Sequence, residues 1–126
     1  MTERRLLQAA VVFACVVPIL GGGFGVWRGP AMLDITAAAA PAAAHFRYLS
    51  GLLLGIGLGF LAMVPRIETC GPYFRLLAAI VIVGGLARLL SLLLSGAGDG
   101  WTLFALAMEL IVTPALALWQ WRIARD

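Results

Sequence analysis

Four apolar runs of about twenty residues constrain the fold of this chain more than any other feature, because that length of helix crosses a bilayer. The runs cover approximately residues 6–27, 42–64, 73–94 and 101–123. Hydrophobic residues make up 63% of the 126 residues and charged residues only 12%, whereas soluble domains carry roughly a quarter charged residues. The sequence therefore predicts one transmembrane domain over residues 1–126, an all-α integral membrane bundle of four antiparallel helices.

The arginines predict an orientation for these helices. The ends of the runs on the side of the two termini carry six of them: Arg4, Arg5, Arg66, Arg75, Arg122 and Arg125. The opposite side carries Arg28 and Arg47. Because cytoplasmic loops carry the excess of basic residues, we expect a multi-pass protein of a bacterial inner membrane with both termini in the cytoplasm. The net charge is +3, but the basic residues form no basic stripe, so no nucleic-acid partner is predicted.

Two full charges lie inside the apolar runs. At a rise of 1.5 Å per residue, Arg88 lies about 10 Å below the end of the third run, and Glu109 lies about 12 Å below the start of the fourth run. Both depths are measured from the same membrane surface. Arg47 lies about 8 Å below that surface on the second run. An ion at such depth costs a few kcal/mol and usually faces a partner or a watery cavity.

Three interpretations of these charges remain open. Arg88 and Glu109 form a structural ion pair, or they line a polar cavity, or Glu109 or His45 relays protons. The cavity would be lined by six residues: His45, Arg47, Arg88, Ser91, Glu109 and Thr113. Since two arginines share one glutamate, Arg47 is predicted to lack a partner unless Asp34 supplies one. Such a cation would hold an anionic or carbonyl-bearing ligand, for example a lipid head group or a quinone.

Small residues mark two helix faces for close packing. Gly51, Gly55 and Gly59 recur every four residues on the second run, and Gly84 and Gly85 precede Arg88 on the third. Such spacing lets helix backbones approach closely in lipid. We therefore predict helix contacts at these glycines, within the chain or with a homo-oligomer or a larger membrane complex, besides contacts with membrane lipids.

No pattern of a catalytic or metal site stands out. The chain has one histidine, and its two cysteines lack the spacing of a zinc or redox motif. A nucleophile–base–acid set would need that histidine beside a serine or cysteine. We therefore predict a protein that is not an enzyme, with no cofactor and no metal.

Several stretches carry a resemblance to a known family. They are residues 45–51 (HFRYLSG), the glycine-rich second run, residues 84–91 (GGLARLLS), and Glu109-Leu110 followed by Pro114. Over nearly its whole length the chain resembles a family of small bacterial membrane proteins known as domain of unknown function 4345. The resemblance implies a four-helix membrane bundle with Arg47, Arg88 and Glu109 at matching positions, and it implies no activity.

Two function classes follow from these observations. The first is a non-catalytic protein that binds a lipid-like or quinone-like ligand, or docks as an accessory subunit to a membrane complex. The alternative is a small transporter or proton-coupled carrier that uses Glu109 and Arg88. A transport path needs polar groups at several depths, and the halves of the helices near the termini offer only Gln8 and Gln120. The sequence therefore favours the binding protein.

Overall fold

The fold is all-α, as predicted. The computed structural model describes residues 2–96 and 98–125, and every regular element within these ranges is helical. Four segments are long and apolar enough to cross a membrane: Glu3–Leu33, Ala40–Arg66, Gly71–Ser95 and Gly100–Ile123. Each predicted run falls within one of them. Residues 1, 97 and 126, which the predicted domain includes, lie outside the described residues.

Prolines and short 3₁₀ turns subdivide these segments. The elements are α1 (Glu3–Arg28), a 3₁₀ turn (Gly29–Leu33), α2 (Ala40–Met63), a 3₁₀ turn (Val64–Arg66), α3 (Gly71–Ser95), α4 (Gly100–Ala107), a π-helical turn (Met108–Val112) and α5 (Thr113–Ile123). The fourth span is thus α4, the π turn and α5 in succession.

Local capping separates α3 from α4. Gly96 adopts the left-handed conformation (φ 65°) and its N–H donates to the carbonyl of Leu92, which ends α3. The carboxylate of Asp99 accepts from the backbone N–H of Thr102 at 2.8 Å and so caps the start of α4. That hydrogen bond lowers the pKa of Asp99 below its ordinary value.

The chain forms two compact units, which are described separately. One comprises Val11–Ala62, and the other comprises Met1–Ala10 together with Met63–Asp126. The first is built from most of α1 and nearly all of α2. The second contains α3 and the fourth span with the first turns of α1.

In the Val11–Ala62 unit, α1 and α2 approach closely at glycines. A Cβ on Gly22 would lie 2.5 Å from the backbone nitrogen of Leu54, and one on Gly57 would lie 2.9 Å from Cγ1 of Ile19. Residue numbers rise along α1 as they fall along α2, so the two helices are antiparallel. At Gly22 the nearest atoms of α2 are all backbone atoms, whereas at Gly57 the side chain of Ile19 occupies the space that a Cβ would need. Such close approach is what small residues permit between helices in membranes.

The close approach therefore uses a different face of α2 from the predicted one. A Cβ on Gly51 would meet Val26 only at an ordinary 3.8 Å, and one on Gly55 would meet no atom of this helical pair within 4 Å. The face that meets α1 carries Gly57 and Ser50 instead. A Cβ on Gly25 of α1 would collide with the hydroxyl of Ser50.

In the other unit, α3 packs against the fourth span. A Cβ on Gly85 would lie 2.7 Å from Cβ of Glu109 and 2.9 Å from Cδ2 of Leu110, whereas the Cβ position of Gly84 has no described atom within 4 Å. Phe74 and Ala78, further along α3, are buried. Gly85 thus brings α3 to the turn that carries Glu109.

Candidate functional site

Arg88 of α3 and Glu109 of the fourth span form an ion pair. Nε of Arg88 donates to both carboxylate oxygens, at 3.2 and 3.1 Å, and Nη2 donates to Oε1 at 3.0 Å. The geometry is bidentate, which is the strongest arrangement for an arginine and a carboxylate. The side chains are 37% and 16% exposed, so the pair is partly open.

A π-helical turn carries the glutamate. Pro114 has no N–H, and its ring excludes a normal helical turn before it. The N–H of Thr113 reaches back five residues to the carbonyl of Met108, and the Thr113 hydroxyl donates to the same oxygen at 2.8 Å. The wide turn places Glu109 beside Gly85. Turns of this kind occur frequently at functional sites.

Two further predicted residues belong to this unit. Ser91 lies one turn after Arg88 on α3 and is exposed, so it extends the polar edge of the pair. Thr113 is half-buried, and its hydroxyl is engaged with the Met108 carbonyl. The contact of Thr113 therefore supports the π turn itself.

His45 and Arg47 lie on α2, in the Val11–Ala62 unit. Nε of Arg47 donates to the carbonyl of Val26 at 3.1 Å, and its guanidinium covers Gly29, where a Cβ would lie 2.8 Å from Cζ. The last carbonyls of a helix lack intrahelical partners and carry a partial negative charge. The prediction that Arg47 lacks a partner is therefore wrong, because the end of α1 serves as one. His45 is exposed.

Two grooves in the Val11–Ala62 unit are lined by residues outside the predicted set. A groove of about 260 Å³ is lined by Arg28, Pro30, Ala31, Ile35, Thr36, Ala38 and Ala43. A groove of about 220 Å³ is lined by Val12, Cys15, Val16, Ile19, Leu20 and Leu61. The first contains one cationic and one hydroxyl side chain, and the second is apolar apart from a thiol.

Sequence reasoning missed a group of side chains that binds the loop between α2 and α3. We call Arg4, Gln8 and Gln120 the loop-binding cluster. They donate to three carbonyls of this loop: Gln8 Nε2 to Val64 at 2.8 Å, Arg4 Nη2 to Pro65 at 2.9 Å and Gln120 Nε2 to Ile67 at 2.8 Å. The available signal was that an amide inside an apolar helix needs a partner, and this loop supplies unpaired carbonyls.

Ion pairs surround the loop-binding cluster. Nε of Arg4 contacts Oε2 of Glu68 at 2.9 Å. The backbone N–H of Glu68 itself lowers the pKa of its carboxyl, and Arg4 lowers it further. Glu3 accepts from the indole N–H of Trp119 at 3.1 Å and lies 3.5 Å from Arg122. These contacts join the start of α1, the loop and the end of α5 within one unit.

The four apolar helices define a multi-span α-helical membrane protein. The family model of domain of unknown function DUF4345 matches residues 6–120, and the chain belongs to that family. No curated protein and no solved structure matches the chain. Among the described residues, no group of three histidine, cysteine, aspartate or glutamate side chains is placed to hold a metal ion.

Proposed function

We propose that this chain is a non-catalytic membrane protein that holds a lipid-like or quinone-like ligand at the Arg88–Glu109 pair. The observation that carries the proposal is the partial exposure of the pair. Arg88 keeps 37% of its side chain exposed although it lies about 10 Å inside an apolar helix. A polar edge at that depth needs a polar partner, because hydrocarbon solvates neither charge.

The hydrogen-bond donors of Arg88 indicate the class of ligand. A guanidinium has five N–H donors, and the contacts with Glu109 use the Nε–H and one Nη2–H. The remaining donors suit the carbonyl of a quinone or the ester and phosphate oxygens of a lipid. Exposed Ser91, one turn away, adds a hydroxyl. The pair is neutral overall, which favours a polar or singly charged group over a multiply charged one.

The engagement of Gln8 and Gln120 supports binding over transport. Both amides lie in the halves of the helices where a transport path would need free polar groups. Each donates at 2.8 Å to a carbonyl of the loop between α2 and α3. Their role in holding this loop accounts for their presence without any path.

The same protein would lie in a bacterial inner membrane with both termini in the cytoplasm. Six arginines on the side of the termini against two on the other support this orientation. Labelling of single cysteines at Thr2 and Gly98 tests it. We expect labelling from opposite sides of the membrane, and labelling from one side contradicts the orientation.

A second candidate function is docking to a further subunit. It is supported by two glycines on which no described atom packs. The Cβ positions of Gly55 and Gly84 have no described atom within 4 Å, and both residues are exposed. A helix of a second copy or of a larger complex packs closely on such a surface.

The test compares ligand retention in three forms of the protein. Protein gently extracted from membranes is analysed by native mass spectrometry as the wild type, as Arg88→Met with Glu109→Leu, and as Glu3→Gln with Arg122→Gln. The last is a matched control that removes an exposed ion pair of 3.5 Å at the other end. We expect the first double variant to fold and to lose a co-purifying lipid or quinone that the control retains.

A folded Arg88→Met, Glu109→Leu variant that keeps every ligand contradicts the proposal, and so does a wild type without any bound molecule. If the double variant fails to fold, Arg88→Lys still tests the proposal, because this variant keeps the charge but loses the bidentate geometry. We expect this variant to remain folded with at least tenfold weaker ligand retention. Unchanged retention in Arg88→Lys would also contradict the proposal.

A further inference from the structure

The groove of about 260 Å³ in the Val11–Ala62 unit lies where α1 passes into the loop that leads to α2. It is lined by Arg28 at the end of α1, by loop residues that include Thr36, and by Ala43 near the start of α2. We call it the Arg28 groove. A single water molecule needs about 10–15 Å³ of such space, so the groove has room for a group of several heavy atoms.

The Arg28 groove contains a cation whose hydrogen-bond donors are unused. The Arg28 side chain is exposed, and it forms no hydrogen bond or ion pair with another described residue. Asp34, the nearest acid in the sequence, does not line the groove. Arg47 differs from Arg28, because its Nε donates to the carbonyl of Val26. The guanidinium of Arg28 therefore keeps its five N–H donors for a ligand.

The Arg28 groove begins at the level expected for lipid head groups. Trp27, the residue before Arg28, keeps 74% of its surface exposed, and its ring centroid lies 6.2 Å from that of Phe24. Tryptophan rings concentrate at the boundary between membrane and water. The first apolar run also ends at Trp27, so Arg28 lies where the hydrocarbon ends. Phospholipid head groups and dissolved ions both reach this level.

A phosphate ester matches the side chains of the groove. A guanidinium binds phosphate through two parallel N–H···O hydrogen bonds, and the hydroxyl of Thr36 can donate to a further oxygen. A phosphodiester carries one negative charge, which one arginine neutralises. The rest of the lining is apolar and suits the carbon atoms that are esterified to the phosphate: Pro30, Ala31, Ile35, Ala38 and Ala43.

We propose that the Arg28 groove binds a phosphate group, with two oxygens held by the Arg28 guanidinium and another by the Thr36 hydroxyl. The phosphate belongs either to a phospholipid head group or to a free phosphate ion. This site goes beyond the ligand proposed at the Arg88–Glu109 pair, because it consists of other residues in the other unit.

The experiment is native mass spectrometry of the full chain in detergent, titrated with dioleoylphosphatidylglycerol. Arg28→Gln should weaken one binding step about tenfold, the effect of losing a hydrogen bond between charged groups. Arg5→Gln is the matched control, because Arg5 is exposed near the start of the same helix and its side chain contacts no other described residue. We expect Arg5→Gln to bind as the wild type does. Equal binding by all three forms, or equal weakening in both variants, overturns the proposal.

A second pair of variants tests the space rather than the charge. Ala43 is half-buried and lines the groove, whereas its neighbour Ala44 is exposed and does not. Ala43→Leu should fill the groove and weaken the same step about as strongly as Arg28→Gln, and Ala44→Leu should leave it unchanged. Undiminished binding in Ala43→Leu overturns the proposal. The Arg28→Gln titration decides the matter even when Ala43→Leu fails to fold.

The same titration of Arg88→Met with Glu109→Leu separates this site from the proposed ligand at that pair. The step that depends on Arg28 should persist in the folded double variant, whether or not that variant loses another ligand. Disappearance of the step means that the lipid is bound at the pair, which overturns the site in the Arg28 groove.

Two further probes identify the source of the phosphate. Inorganic phosphate that displaces the lipid only at far higher concentration assigns the site to a phospholipid head group. Inorganic phosphate that binds at a concentration comparable to that of the lipid assigns the site to the free ion, and the phosphate site is retained in both cases. A dioleoyl galactolipid has the same chains without phosphate and should not bind at this step. Equal binding of the galactolipid overturns the proposal.

Discussion

Replacing Gly22 with alanine tests the packing of α1 on α2. The new Cβ would lie 2.5 Å from the nitrogen and 2.8 Å from the Cα of Leu54, and 2.7 Å from the carbonyl oxygen of Ser50. All three are backbone atoms, which cannot rotate away as a side chain does. Ordinary contacts of a Cβ begin near 3.4 Å, so the helices must separate locally by about 1 Å.

The expected cost follows from two opposing effects. Overpacking in a tight interface costs about 1–3 kcal/mol, and separation here also loosens the neighbouring contacts at Gly25 and Gly57. Alanine gains about 0.5–1 kcal/mol over glycine within a helix. We expect a net loss of about 2 kcal/mol, which lowers the Tm of a chain of this size by roughly 5–10 °C.

Thermal unfolding in one detergent measures the difference, with Gly55→Ala as the matched control. This variant has the same gain in helix propensity, and its added methyl meets no atom of the helical pair within 4 Å. We expect Gly55→Ala to be at least as stable as the wild type. Equal stability of the Gly22 and Gly55 variants would refute the close approach of α1 and α2 at Gly22.

Two further predictions concern side chains at the ends of the spans. Gln8→Leu should lower stability by about 1–2 kcal/mol, because the half-buried amide holds the Val64 carbonyl; unfolding in detergent measures this, and an unchanged Tm contradicts it. The pKa of Asp99 is lowered in the fold, so its cap contributes stability above the ordinary carboxyl pKa and loses it as the pH falls through the folded value. The stability difference between wild type and Asp99→Ala should therefore shrink in acid, and a difference independent of pH contradicts the cap.

The spans were predictable because hydropathy over about twenty residues reports membrane depth directly. The contact between Arg88 and Glu109 could also be predicted, because the depth of each residue in the membrane follows from the helical rise. The face of α2 that packs against α1 could not be predicted. Glycines occur on more than one side of this helix, and the rotation of a helix about its own axis depends on its neighbour. The repeat at Gly55 therefore pointed away from Gly57, which makes the contact.

The partner of Arg47 was missed for a different reason. Charge counting compared arginines with acids, and by that count Arg47 was left over. The carbonyls at the end of α1 are also acceptors with partial negative charge, and one of them binds Arg47 at 3.1 Å. Since the path that brings Arg47 to Val26 depends on the antiparallel register of α1 and α2, no local sequence pattern could reveal it.

Stability alone gives a weak account of Arg88 and Glu109. Well-packed apolar side chains of similar volume often hold buried elements as well as an ion pair does, or better. Gly85 already brings α3 against the turn that carries Glu109, so the two helices meet there without the charges. The π turn widens the helix at this glutamate, and the Arg88 side chain keeps part of its surface open. Pro114 accounts for the π turn, and the proposed ligand, by accepting from this open edge, would account for the exposure, whereas a purely structural ion pair would be better closed.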